Sequence, residues 1–104
     1  MGSPLDGKRI VLVDDEEALA WSLGSRLLKA YPTAKIVTAH DGETALEHIF
    51  EAETDLLIAD IRMPGMNGID LVLSARARQR ELPVIVMTAF KSIDMTRLDG
   101  GPFT

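Results

Sequence analysis

Four short runs of β-branched and other apolar residues, each followed by a polar or acidic stop and separated by stretches with helical periodicity, most tightly limit what this chain can fold into. The first, Lys8-Arg9-Ile10-Val11-Leu12-Val13, halts at Asp14-Asp15-Glu16-Glu17. Its apolar core does not alternate, which describes a strand buried on both faces. Over residues 16–30, Leu19, Leu23 and Leu27 recur every four positions, acids fill the first turn, and Arg26 and Lys29 stand near the end. This pattern predicts an amphipathic helix that Pro32 closes. Lys35–Ala39 reads as a second strand with Asp41-Gly42 as its exit turn, and residues 43–52 read as a helix that pairs Ala45 with Ile49 and Leu46 with Phe50. Residues 55–60 form a third buried strand ending in Asp60, and Met63-Pro64-Gly65-Met66-Asn67-Gly68 reads as a loop before a helix over 69–80. Residues 83–87 make a fourth strand ending at Thr88-Ala89; residues 92–98 have room for a helical turn or two before Asp99-Gly100-Gly101-Pro102 breaks them.

Strands alternating with helices of this length imply right-handed crossovers, and so an α/β fold with a doubly wound parallel sheet. Composition agrees: 46% hydrophobic and 26% charged residues are ordinary globular values, and 104 residues suit one domain, taken here as residues 8–104. Met1-Gly2-Ser3 looks like a cloning remnant, and residues 1–7 are expected to be disordered. Eleven basic against sixteen acidic side chains give a net charge of −5, which argues against nucleic acid binding by this domain, because phosphate binding needs concentrated positive charge. No cysteine is present, which excludes a disulfide framework and a thiolate metal site and fits a cytoplasmic location. No apolar run approaches the roughly 20 residues of a membrane helix, so no membrane partner is expected.

In an open parallel sheet, ligands bind beyond the carboxyl ends of the strands. There the first strand delivers Asp14 and Asp15, the third Asp60 and the fourth Thr88. Taken singly, Asp14 and Asp15 read as helix caps, Asp60 as a strand end and Thr88 as an ordinary threonine. Converging, three carboxylates repel one another, and a hard divalent cation with oxygen ligands relieves them, most naturally Mg²⁺ with several waters. A carboxylate beside such a cation is also a nucleophile toward phosphorus, and Asp60 is the best placed, with the Thr88 hydroxyl able to donate to a phosphoryl oxygen.

With these residues in view the chain resembles the receiver domain of two-component response regulators. The matching segments are Val11-Leu12-Val13-Asp14-Asp15-Glu16, Ala39-His40-Asp41-Gly42-Glu43-Thr44-Ala45-Leu46, Asp55 through Gly68, and Pro83-Val84-Ile85-Val86-Met87-Thr88-Ala89, with the match fading after about Asp94. The resemblance implies a flavodoxin-like sheet of order 2-1-3-4. It implies that Asp60 takes a phosphoryl group from the phosphohistidine of a sensor histidine kinase. Asp15, Asp60 and the backbone carbonyl of Arg62 would ligate Mg²⁺, Asp14 would hold it mainly through water, and Thr88 would be the switch hydroxyl. On this reading the domain is a phosphoacceptor and not a turnover enzyme.

The family pattern continues with a fifth strand ending in a lysine and a last helix, for which this sequence has no counterpart; Lys91 reads as an exposed loop lysine. An edge at the fourth strand and a partly uncovered sheet face are the expected consequences, and with them a homodimer or strand-exchanged oligomer. The alternative function is a degenerate receiver that serves as a phosphorylation-independent interaction module. A flavin or nucleotide binder is disfavoured, since Asp14-Asp15-Glu16-Glu17 would repel a bare phosphate where such folds place glycine, serine or threonine amides. His40 and His48 lie off the rim, Arg76, Arg78 and Arg80 read as a solvated helix end, and Trp21 and the five methionines read as packing. The segment after Thr88 looks most like receivers of transcriptional activators.

Overall fold

The apolar runs pair side by side, all parallel. In the computed structural model, which describes residues 6–63 and 65–87, the elements are β1 (Arg9–Val13), α1 (Glu17–Ala30), β2 (Lys35–Ala39), α2 (Gly42–Glu51), β3 (Leu56–Asp60), α3 (Gly68–Arg78) and β4 (Val84–Met87). The sheet order is β2-β1-β3-β4, with Ile10 opposite Ile36 and Leu56, and Leu57 opposite Val84. This is the doubly wound α/β arrangement read from the sequence.

Strand periodicity divides the core into two layers. Val11, Val13, Ala39, Leu57, Ala59 and Val84 face α2 and α3, where they meet Ala45, Ile49, Ile69, Leu71, Val72 and Ala75. Ile10, Leu12 and Ile58 face the other way, against Leu23, Leu27 and Tyr31 at the α1 side. The first strand is buried on both faces because helices cover both; Ile10 through Val13 have no exposed surface.

α1 buries its expected stripe only in part: Leu23 and Leu27 pack against Ile10, Leu12 and Ile58, Ala20 and Gly24 are buried beside them, and Leu19 is 52% exposed. A Cβ on Gly24 would meet the Ile36 methyl at an ordinary contact distance of 3.5 Å. Trp21 is 72% exposed, so it is not a packing residue.

The arginines near the end of α3 are only in part a solvated face. Arg76 donates from Nε and Nη2 to the Leu82 carbonyl at 3.2 and 3.1 Å, and burial lowers its guanidinium pKa. Arg78 lies over the Phe50 ring, 5.3 Å from its centroid, while Arg80 is exposed. The helix ends at Arg78, and the following Gln79 side chain pairs with the Thr54 backbone as a strand would: its amide oxygen accepts from Thr54 N at 3.0 Å and its amide nitrogen donates to Thr54 O at 2.8 Å. At the other terminus, Thr33 Oγ1 donates to Asp6 and accepts from Gly7 N. The expected turns at 92–98, Thr88, Lys91 and the self-association argued from that segment lie outside the described residues.

Candidate functional site

Register decides what meets at the carboxyl rim. Val13 stands opposite Ala59 across β1 and β3, so the next residues, Asp14 and Asp60, leave adjacent strands with the same side-chain parity. Asp15 follows on the turn into α1. One carboxylate oxygen from each of Asp14, Asp15 and Asp60 lies within 4.8 Å of the others, which gathers the three predicted acids.

Their environments differ. Asp14 is buried, Asp60 half-buried and Asp15 exposed. Asp14 Oδ1 accepts from Glu16 N at 2.9 Å, yet its carboxyl pKa is raised, first by burial and then by the charges of Asp60, Asp15 and Glu16, against which the Glu16 hydrogen bond pulls the other way. Asp60 Oδ1 accepts from Arg62 N at 3.0 Å, which turns the chain back over the carboxylate and brings the Arg62 backbone to the rim. A donor set of three carboxylates fits a hard divalent cation that keeps several waters and would neutralise their shared negative charge. Thr88, the fourth predicted site residue, lies outside the described residues.

Four further residues shape this rim, and the sequence reading assigned them to turns. Asp41 Oδ1 accepts from Thr44 N at 2.7 Å and caps α2, a bond that lowers the Asp41 pKa. Asn67 accepts from Asp70 N at 2.9 Å and caps α3, so Asn67-Gly68 is a helix start and not a turn. The Asn-Gly pair is a strong turn signal, but an Asx side chain followed by a helical run is also an N-cap signal, and here the second meaning holds. Gly68 N donates to Ile61 O at 3.0 Å, and a Cβ on Gly68 would stand 2.5 Å from Asp60 O, so α3 starts directly against the backbone of Asp60. Gly42 has the same kind of closeness to Met66.

His48 pairs with Glu51 at 3.1 Å, away from the rim. A groove of about 760 Å³ between α1 and β2, lined by Trp21, Gly24, Leu28, Ile36 and His40 among others, is also separate from the acid cluster. The acid cluster therefore lies at the rim and not in that groove.

The sequence pattern of the response regulator receiver domain matches over residues 10–98, and the acid cluster falls within it. The chain belongs to the response regulator receiver domain family. This receiver is 39% identical over 83 residues to the DNA-binding transcriptional regulator NtrC of Escherichia coli K12, covering 80% of this chain and 17% of that protein, so it spans about a sixth of the relative's length. Its fold is that of the chemotaxis protein CheY4 of Vibrio cholerae, with a TM-score of 0.82 at 23% identity, over 93% of this chain and 84% of the other. The response regulator TrrA of Thermotoga maritima, crystallised with Mg²⁺ and BeF, is 31% identical with a TM-score of 0.78, covering 93% and 86%. The same regulator in complex with histidine kinase ThkA gives 31% and a TM-score of 0.76, covering 93% and 85%. Among the described residues, no helix of the receiver is long and apolar enough to cross a membrane.

Proposed function

We propose that this receiver is a phosphoacceptor, in which an Asp60 carboxylate oxygen attacks the phosphorus of a histidine kinase's phosphohistidine, the P–N bond to imidazole breaks, and an aspartyl phosphate forms. The observation that carries this reading is the meeting of Asp14, Asp15 and Asp60 within 4.8 Å at the rim. Mg²⁺ would be held by Asp15, Asp60 and the Arg62 carbonyl, with Asp14 holding it mainly through water, and it would neutralise the charge of the incoming phosphoryl group. The chain's own contribution is orientation. The Arg62 N–H fixes one Asp60 oxygen, the Gly68 contact fixes the Asp60 backbone, and the buried Asp14 keeps negative charge facing the cation site.

The kinase partner is supported by the ThkA–TrrA complex of a relative, and a cytoplasmic location and a transcriptional output in a longer parent protein by the likeness to NtrC. Thr88 serves in this proposal as the switch hydroxyl. The domain assists its own phosphorylation but does not turn over substrate, since no general acid or base separate from the carboxylates stands at the rim among the described residues. Incubation with Mg²⁺ and acetyl phosphate should add one phosphoryl group by intact mass. An adduct that persists in Asp60→Asn, or none in the wild type, rejects the assignment.

A further inference from the structure

We propose that Gly42 and Met66 act as positioning residues, a brace between α2 and the loop after β3 that holds the Asp60 carboxylate and the Arg62 carbonyl in place; this rests on the phosphoacceptor reading above. Gly42 is the first residue of α2 and is buried. A Cβ there would lie 2.8 Å from Met66 Sδ and 2.9 Å from both Met66 Cβ and Cγ. Sδ and Cγ belong to a flexible side chain, but Cβ moves only with the backbone. The closeness is therefore a property of the loop and not of one rotamer.

Both sides of the contact are anchored. The start of α2 is a fixed post: Asp41 caps it, and Ala45 and Ile49 anchor it in the core. The loop on the other side is held at several points: Ile61 N donates to Met87 O, Gly68 stands against Asp60, and Met63 and Met66 pack on the same core cluster. Between those points lies Arg62, whose N–H orients Asp60 Oδ1 and whose carbonyl is the fourth proposed cation ligand. A shift of Met66 would be passed through the core cluster it shares with Met63 to Arg62 beside it, disturbing two of the four cation ligands without touching a carboxylate. Groups that orient ligands in this way commonly change metal affinity by an order of magnitude or more.

The test uses Gly42→Ala, Met66→Ala and the double variant in the whole chain, with Mg²⁺ affinity by calorimetry, phosphorylation by acetyl phosphate, and amide exchange in the metal-free protein. Gly42→Ala should weaken Mg²⁺ binding on the order of tenfold, with the phosphorylation rate recovering at saturating Mg²⁺. The double variant should bind at least about threefold more tightly than Gly42→Ala, because two of the three crowding atoms are gone. Met66→Ala should speed exchange of the Arg62 amide while the amides of β1 keep their protection. Mg²⁺ affinity within about twofold of wild type in Gly42→Ala, or no gain in the double variant, overturns the brace. If Gly42→Ala does not fold, unchanged Arg62 exchange in Met66→Ala overturns it. A wild type that takes neither Mg²⁺ nor phosphoryl sinks the phosphoacceptor reading alone, and Arg62 exchange then still decides the brace.

Discussion

At Asp14 two demands conflict: the rim needs negative charge, and burial between strands penalises it. The folded carboxyl pKa is raised above the ordinary value, chiefly by desolvation, with Asp60, Asp15 and Glu16 adding repulsion. A raised carboxylate pKa means that the ionised group opposes folding. The penalty is absent below the unfolded value, near pH 4, grows as pH rises through the folded pKa, and is complete above it. Asp14→Asn should therefore raise the metal-free melting temperature at pH 7, with the gain vanishing toward pH 4, and should weaken Mg²⁺ binding. Equal melting temperatures at pH 7 would contradict the assignment of strain to this residue. Gly68 carries the opposite kind of constraint, set by space alone. Gly68→Ala forces a methyl toward the Asp60 carbonyl, which should cost about 1–3 kcal/mol in urea unfolding and lower the yield of aspartyl phosphate.

Elements here are positioned as much by their ends as by their apolar faces. α3 begins where Asn67 satisfies Asp70 N, one residue before the Gly68 contact with Asp60, so the cap also locates the helix against the site. Asn67→Ala should cost about 1 kcal/mol of stability. Trp21→Ala makes a useful contrast. The indole is the largest side chain in the protein, yet its exposure leaves it little to lose, and the change should stay within about 0.5 kcal/mol. A loss of several kcal/mol for Trp21→Ala, measured beside Asn67→Ala, would show that α1 packs differently.

For the whole molecule, the acid rim ties stability to divalent cation, because a cation bound only by the folded state stabilises it by mass action. Mg²⁺ at about 100 times its Kd should add about 2.7 kcal/mol, read as a rise in melting temperature that sodium at equal ionic strength does not reproduce. The rise should shrink in Asp60→Asn, which removes one of the three gathered carboxylates.

Much of this was legible in the chain itself. Short unbroken runs such as Ile10–Val13 and Leu57–Ala59, bounded by polar stops and too short for core helices, read as strands buried on both faces, and their stops place acids at strand ends; sheet order and the acid trio follow from that pattern together with the family resemblance. Local signals were ambiguous where one residue type serves two purposes. Asn67-Gly68 reads as part of a loop, although it also carries a cap signal; Leu19 reads as core by its spacing and Trp21 as packing. Only the tertiary structure decided these, since which face of α1 is buried depends on how the helix sits on the sheet, with Ala20 and Gly24 beneath it and Leu19 and Trp21 exposed. The same holds at the site. The sequence determined that Asp14, Asp15 and Asp60 end strands or follow them, whereas the raised pKa of Asp14, the backing of Asp60 by Gly68 and the seat of Met66 on Gly42 arise from contacts between segments distant in the chain, through burial and excluded volume that no local pattern encodes.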